Sequence, residues 1–124
     1  MNQRPEIISR VEESSWVTLA SEKFEVIHGL GLTDWENIFP AEQLLASNIK
    51  FNPDDRVLLF GCHQGALTAF ISRTLKRGRL TVTDESYSAL ATTKRTLAIN
   101  NIPLDDVYFL SEINLPFDSD RTYD

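Results

Sequence analysis

The sequence predicts an α/β fold built on a short parallel sheet, and three observations carry the prediction. An unbroken apolar run, Val57–Phe60, ends on Gly61-Cys62-His63-Gln64-Gly65 and passes directly into residues with helical apolar spacing. A second strand-like run, Arg79–Thr83, ends on Asp84 and is followed by another helical stretch. Strand, glycine turn, helix, strand and acid, in that order, is the layout of a nucleotide-binding βαβ unit.

The elements follow in chain order. Pro5 suits the first position of a short helix with Ile7, Ile8 and Val11 on one face. WVTLA and KFEVIHG alternate, Val17, Leu19, Phe24 and Val26 opposing Trp16 and Thr18, and read as a hairpin joined at Ser21-Glu22. Gly29 and Gly31 punctuate a loop. Ala41, Leu44, Leu45 and Ile49 recur at helical spacing over Pro40–Ile49. Asn52-Pro53-Asp54-Asp55 is a turn, and Val57–Phe60 reads as a strand buried on both faces. Leu67, Phe70, Ile71 and Leu75 face inward from the next helix, which ends on Arg73, Lys76 and Arg77 with Gly78 as its left-handed terminator. Ser86 caps a second helix carrying Leu90, Ala91, Leu97 and Ala98, which ends at Asn100-Asn101-Ile102-Pro103. Val107–Leu110 is a third strand, and Pro116–Asp124 is a polar tail. The expected organisation is one compact domain, with helix, hairpin and lead-in helix over 1–50 and the partial sheet unit over 51–124.

Composition narrows the function. The 124 residues, 42% hydrophobic, hold one core. A net charge of -6 argues against a grip on a phosphate backbone, and the acids gather early: Met1–Cys62 carries ten against five Lys or Arg. One cysteine excludes an internal disulfide and fits a reducing compartment. The absence of a long apolar stretch or signal-peptide core leads us to expect a cytoplasmic protein that makes no membrane contact.

The turn and the acid carry the chemistry. Gly61 and Gly65 allow a sharp turn and close backbone approach to a ligand. The helix that follows points free N–H groups into the same crevice. Asp84, 19 residues after Gly65, ends the neighbouring strand, where a carboxylate can accept both hydroxyls of a ribose. Glu112 stands just past the third strand, within reach of an adenine amino group.

Arg56–Asn101 resembles the first two motifs of class I S-adenosylmethionine-dependent methyltransferases, whose VLDLGCGTGALT becomes VLLFGCHQGALT here, followed by VTDESYSALATTKRTLAINNIP. The LAINNIP ending and the IFPAEQLLASNI lead-in are similar to the small-domain branch, which includes ribosomal RNA guanine methyltransferases. The resemblance spans roughly Trp16 to Asp124. It implies a Rossmann-like three-layer methyltransferase fold, truncated, with S-adenosylmethionine held by Gly61, Cys62, His63, Gly65, Asp84 and Glu112.

Three departures weaken the implied activity. Leu59 stands where the family carries an acid, His63 replaces the middle glycine, and the sequence stops at Asp124 without the N-P-P catalytic loop. The expectation is therefore an N-terminal methyltransferase portion with a weakened site and no catalytic residue of its own. The alternative is a degenerate domain that binds no cofactor and serves as a structural or interaction module.

The remaining residues add little. Two separated histidines and one cysteine do not make a metal site. Cys62 is expected as a small packing residue, His28 as a surface or packing residue, and Trp16 and Trp35 as core or lid. Helix-end placement explains three of the four cations Arg73, Lys76, Arg77 and Arg79, so RNA contact is not expected through this segment alone. An NAD-binding unit fits less well, because G-x-G-x-x-G is not met. Three parallel strands leave an open edge, to be covered by a C-terminal remainder, a second methyltransferase domain or a homodimer.

Overall fold

The computed structural model describes residues 13–29, 31–76, 78–105 and 107–111. The expected Pro5 helix, Arg77, Glu112 and the Pro116–Asp124 tail lie outside them. Strands β1 (Ser14–Leu19) and β2 (Glu22–Ile27) form an antiparallel hairpin. Strands β3 (Arg56–Phe60), β4 (Arg79–Thr83) and β5 (Val107–Leu110) form a parallel sheet in that order. Helices α1 (Pro40–Asn48), α2 (Ala66–Thr74) and α3 (Tyr87–Ile99) complete the α/β, Rossmann-like fold.

The hairpin follows its alternation. Val17, Leu19, Phe24 and Val26 are buried, while Trp16 and Thr18 face outward. The turn is Ala20-Ser21, both residues at positive φ (50° and 72°), and Glu22 already pairs with Leu19. The expected junction was one residue late, because Ala-Ser lacks the usual signature of a two-residue turn. Phe24, fully buried, meets Phe70 of α2 edge-on at 6.5 Å and carries the Arg73 guanidinium 4.3 Å above its ring. Helix α2 buries Leu67, Phe70 and Ile71 as its spacing requires. Ser86 caps α3 by accepting the Ala89 N–H at 3.1 Å.

Four expectations change. Strand β3 is the sheet's edge among the described residues, so Val57, Leu58 and Leu59 are half-buried and Phe60 is 64% exposed. Helix α1 forms where expected, yet Leu44, Leu45 and Ile49 are exposed and only Ala46 is buried. Gly78 does not adopt the left-handed terminator conformation. A Cβ there would lie 2.1 Å from Asp55 O, so the residue is small because the Asn52–Asp55 turn crosses it. On α3, Ala91 and Ala98 face outward, and Thr92, Thr93 and Thr96 are buried beside Leu90 and Leu97.

Asn100 joins the hairpin to the sheet unit. Its side chain accepts the Glu25 N–H at 2.9 Å and donates to Glu25 O and Thr96 O, each at 2.7 Å, standing in for a strand neighbour along β2. Truncating it leaves strand groups unpaired next to the core. Asn100→Ala is expected to lower unfolding free energy by about 2 kcal/mol, read from urea denaturation. A loss below about 0.5 kcal/mol would mean that water replaces these bonds without cost.

Candidate functional site

The carboxyl ends of the three parallel strands converge through backbone bonds. Gly61 N–H donates to Thr83 O at 2.7 Å, and Asp84 N–H donates to Leu110 O at 3.2 Å. Gly61 has φ +81°, and a Cβ on it would meet none of the described residues within 4 Å, so among them the turn opens onto free space. The neighbouring Asp84 carboxylate is fixed at both oxygens: Cys62 N–H donates to Oδ2 at 3.0 Å and Ser86 N–H to Oδ1 at 2.9 Å. Each oxygen keeps further acceptor capacity, so a half-buried carboxylate of set orientation stands beside the open glycine. That pair of acceptor oxygens suits the two hydroxyls of a vicinal diol.

Gly65 has a different role from Gly61. At φ +98°, its missing Cβ would sit 2.9 Å from Thr93 Cα and 3.1 Å from Thr96 Cβ. The close approach expected at this glycine is therefore made to α3, and it lets the start of α2 rest on that helix. Cys62 offers its N–H to Asp84 but points its side chain inward, 1% exposed, with Sγ 3.6 Å from Asp84 Oδ2. Burial, reinforced by the Asp84 charge, pushes the thiol up to about 12. It is a packing residue.

His63, at φ 47°, is half-buried and turns its ring to the lead-in loop. Nε2–H donates to Thr33 O at 2.9 Å, and the ring lies 4.5 Å from that of Phe39. Glu42 of α1 approaches the same cluster. Burial raises its carboxyl above the usual range, against the opposing pull of the Phe39 N–H and the nearby His63. Gln64, which the sequence reading passed over, is fully buried and donates to Trp35 O at 3.0 Å and Asn37 O at 2.8 Å. The signal was present: an amide inside a buried turn must have partners.

Other candidates fall outside this crevice. Leu59 packs against the core and lines a groove of about 470 Å³ with Leu45, Ile49, Phe51, Leu67 and Phe70. Arg73 is engaged by Phe24 and by Glu22 at 3.4 Å, while Arg79 lies 5.9 Å from the Tyr108 ring. Trp16 is 65% exposed, because it occupies the outward phase of β1, and so is neither core nor lid. Trp35 is half-buried and stacks 5.0 Å from His28. Among the described residues, no group of three His, Cys, Asp or Glu could hold a metal ion, and no helix is long and apolar enough to cross a membrane.

Two predictions follow from this geometry. Gly65→Ala combines a forbidden φ with a backbone clash and is expected to cost roughly 3 kcal/mol, against about 1 kcal/mol for Gly61→Ala, where only φ is at stake; equal losses in thermal melts would contradict the assignment of their roles. The Cys62 thiol should resist alkylation at pH 8 in the native protein and react once unfolded. Because an unfolded thiol ionises near 8.5 and the folded one near 12, stability should fall as pH rises between those values. Cys62→Ala should flatten that part of the profile.

Comparison with known proteins matches this sequence to a family. The methyltransferase small domain model matches residues 23–118. The ribosomal RNA small subunit methyltransferase C of Erwinia tasmaniensis is 40% identical over 63 residues, which are 51% of this chain and 18% of that protein. The matched stretch is thus a small part of the relative's length. A crystal structure of a fibrillarin/Nop5p complex aligns with 86% of this chain and 52% of its own, at 17% identity and a TM-score of 0.46. With most of its 124 residues matched by that family model, and a strand-end acid beside an open glycine turn, the chain belongs to the methyltransferase small domain family.

Proposed function

We propose that this chain is the cofactor-binding part of an S-adenosylmethionine-dependent methyltransferase, with Asp84 accepting the ribose hydroxyls and Gly61 giving the ligand access to the turn. The observation that carries the reading is the Asp84 carboxylate, held by two N–H groups beside a glycine that opens onto free space. The first turn of α2 presents N–H groups to the same region. When bound, the cofactor supplies an electrophilic methyl group. The chain's own residues bind and orient it, and Leu59 offers no polar contact where the resembling enzymes carry an acid. Cys62 contributes its N–H through Asp84, and His63 and Gly65 shape the turn rather than touch the ligand. Ribosomal RNA, named for the relative, is the proposed class of acceptor for the whole protein. The chain by itself is expected to transfer no methyl group.

Calorimetric titration tests the reading. S-adenosylmethionine and S-adenosylhomocysteine should both bind, and Asp84→Asn should weaken them roughly tenfold while the melting temperature shows the variant folded. The absence of both heat and a thermal shift at millimolar ligand would remove the cofactor claim. That outcome would favour the second reading, a non-catalytic structural domain, for which Leu59 and the engaged His63 ring already speak.

The β3 edge belongs to the same proposal. Its half-buried apolar residues take their cover from the polypeptide that completes the sheet, either a C-terminal remainder or a second methyltransferase domain. Sedimentation of this chain as a dimer, and as a monomer after Leu59→Lys, would assign that cover to a second copy instead.

A further inference from the structure

The segment Thr33–Phe39 has two apolar anchors, Trp35 and Ile38, packed against the core. Thr33, Asp34, Glu36, Asn37 and Phe39 are exposed, and Trp35 and Ile38 are half-buried. Within it the Asn37 N–H donates to Asp34 O at 3.0 Å, closing a single local turn. Trp35 also stacks on His28, and the glycine turn adds a hydrogen-bonded hold. Three alternate carbonyls, those of Thr33, Trp35 and Asn37, accept hydrogen bonds from two consecutive side chains, His63 and Gln64. The Phe39 ring, tilted 32° to that of His63, closes the far end.

Dependence runs the other way as well. Three of the five turn residues are left-handed: Gly61 at 81°, His63 at 47° and Gly65 at 98°. That backbone is unfavourable for histidine, and its ring contacts with the segment offset the cost. Gln64 is tied on both sides: its backbone O accepts the Thr96 hydroxyl at 2.7 Å, and its Oε1 lies 3.1 Å from His63 Nδ1. The segment and the turn therefore hold each other's conformation through two side chains.

We infer that His63 and Gln64 are positioning residues that couple this segment, acting as a strap, to occupancy of the crevice. A ligand seated on Gly61 and Asp84 stabilises the turn in its present form. Through His63 and Gln64 it then orders the strap, and by reciprocity an ordered strap tightens the ligand. The ligand half of this inference rests on the cofactor reading above; the mutual hold of strap and turn does not.

Hydrogen exchange of the full chain, with and without S-adenosylhomocysteine, tests both halves. His63→Gly suits the left-handed backbone, and His63→Asn tolerates it but is too short to reach Thr33 O. In either variant, peptides covering residues 31–38 should exchange roughly tenfold faster than in the wild type, with α2 and α3 unchanged. In the wild type, ligand should slow the strap roughly threefold; in His63→Gly it should still protect the turn but protect the strap less, because only the Gln64 bonds remain. Unchanged strap exchange in the ligand-free variants would overturn the mutual hold. Equal ligand protection of the strap in both proteins would overturn the coupling. Ligand that protects neither turn nor strap in the wild type would sink the cofactor reading and the ligand half with it, leaving the ligand-free comparison to decide the mutual hold.

Discussion

Thr96 donates its hydroxyl hydrogen to Gln64 O at 2.7 Å and receives the Ile27 N–H at 3.4 Å, so one side chain ties the glycine turn and the hairpin to α3. Both contacts require backbone to approach the helix more closely than a leucine face would allow. The buried surface of α3 meets that requirement with the small side chains of Thr92, Thr93 and Thr96, of which Thr96 makes both bonds. Asn100 extends the same face by one turn and pairs with the Glu25 backbone. Gly65 is the complementary feature on the other side, since any side chain there would lift α2 off Thr93. The position of the crevice thus depends on how closely α2 and the turn can sit on α3.

This constraint explains which parts of the fold were legible in the sequence. Strand and helix periods were readable wherever burial is conventional: Val17, Leu19, Phe24 and Val26 on the hairpin, Leu67, Phe70 and Ile71 on α2. On α3, Leu90 and Leu97 were readable and the rest of the face was not, because counting alanine as core and threonine as surface fails on a helix that also packs through small polar residues. Gly78 was misread for a related reason. Its local sequence fits a helix terminator, whereas its cause is a non-local contact with the Asn52–Asp55 turn. The exposure of β3 and α1 depends on where the sheet ends, which no local pattern encodes. At the site, Gly61 and Asp84 were readable from spacing. The partners of His63 and Gln64 were not, since they are backbone carbonyls about thirty residues earlier in the chain.

The crevice divides into a half with polar groups in place and a half without. Asp84 is oriented by two backbone donors, so its carboxylate is already in position for a diol before any ligand arrives, and binding need not pay to order it. At Leu59 the apolar side chain is drawn sideways into the groove with Leu67 and Phe70, and it presents nothing to a charged ligand tail. Recognition by the described residues should therefore rest on the nucleoside portion of a ligand. Orientation of its other end then falls to the turn's own N–H groups and to whatever stands beyond Leu59.

Strand β3 is where these two facts meet. Its last residues, Leu59 and Phe60, lead directly into Gly61, so the strand that feeds the crevice is also, among the described residues, an edge strand. An edge strand normally protects itself with charge, proline or a bulge. Val57-Leu58-Leu59-Phe60 has none of these, and Leu45 and Ile49 of α1 extend the apolar surface beside it. Such a sequence is suited to a central strand. Cover over β3 would bury Leu59 from the open side and hold the strand end that sets Gly61. On the cofactor reading, affinity at the crevice should therefore depend on the edge being filled.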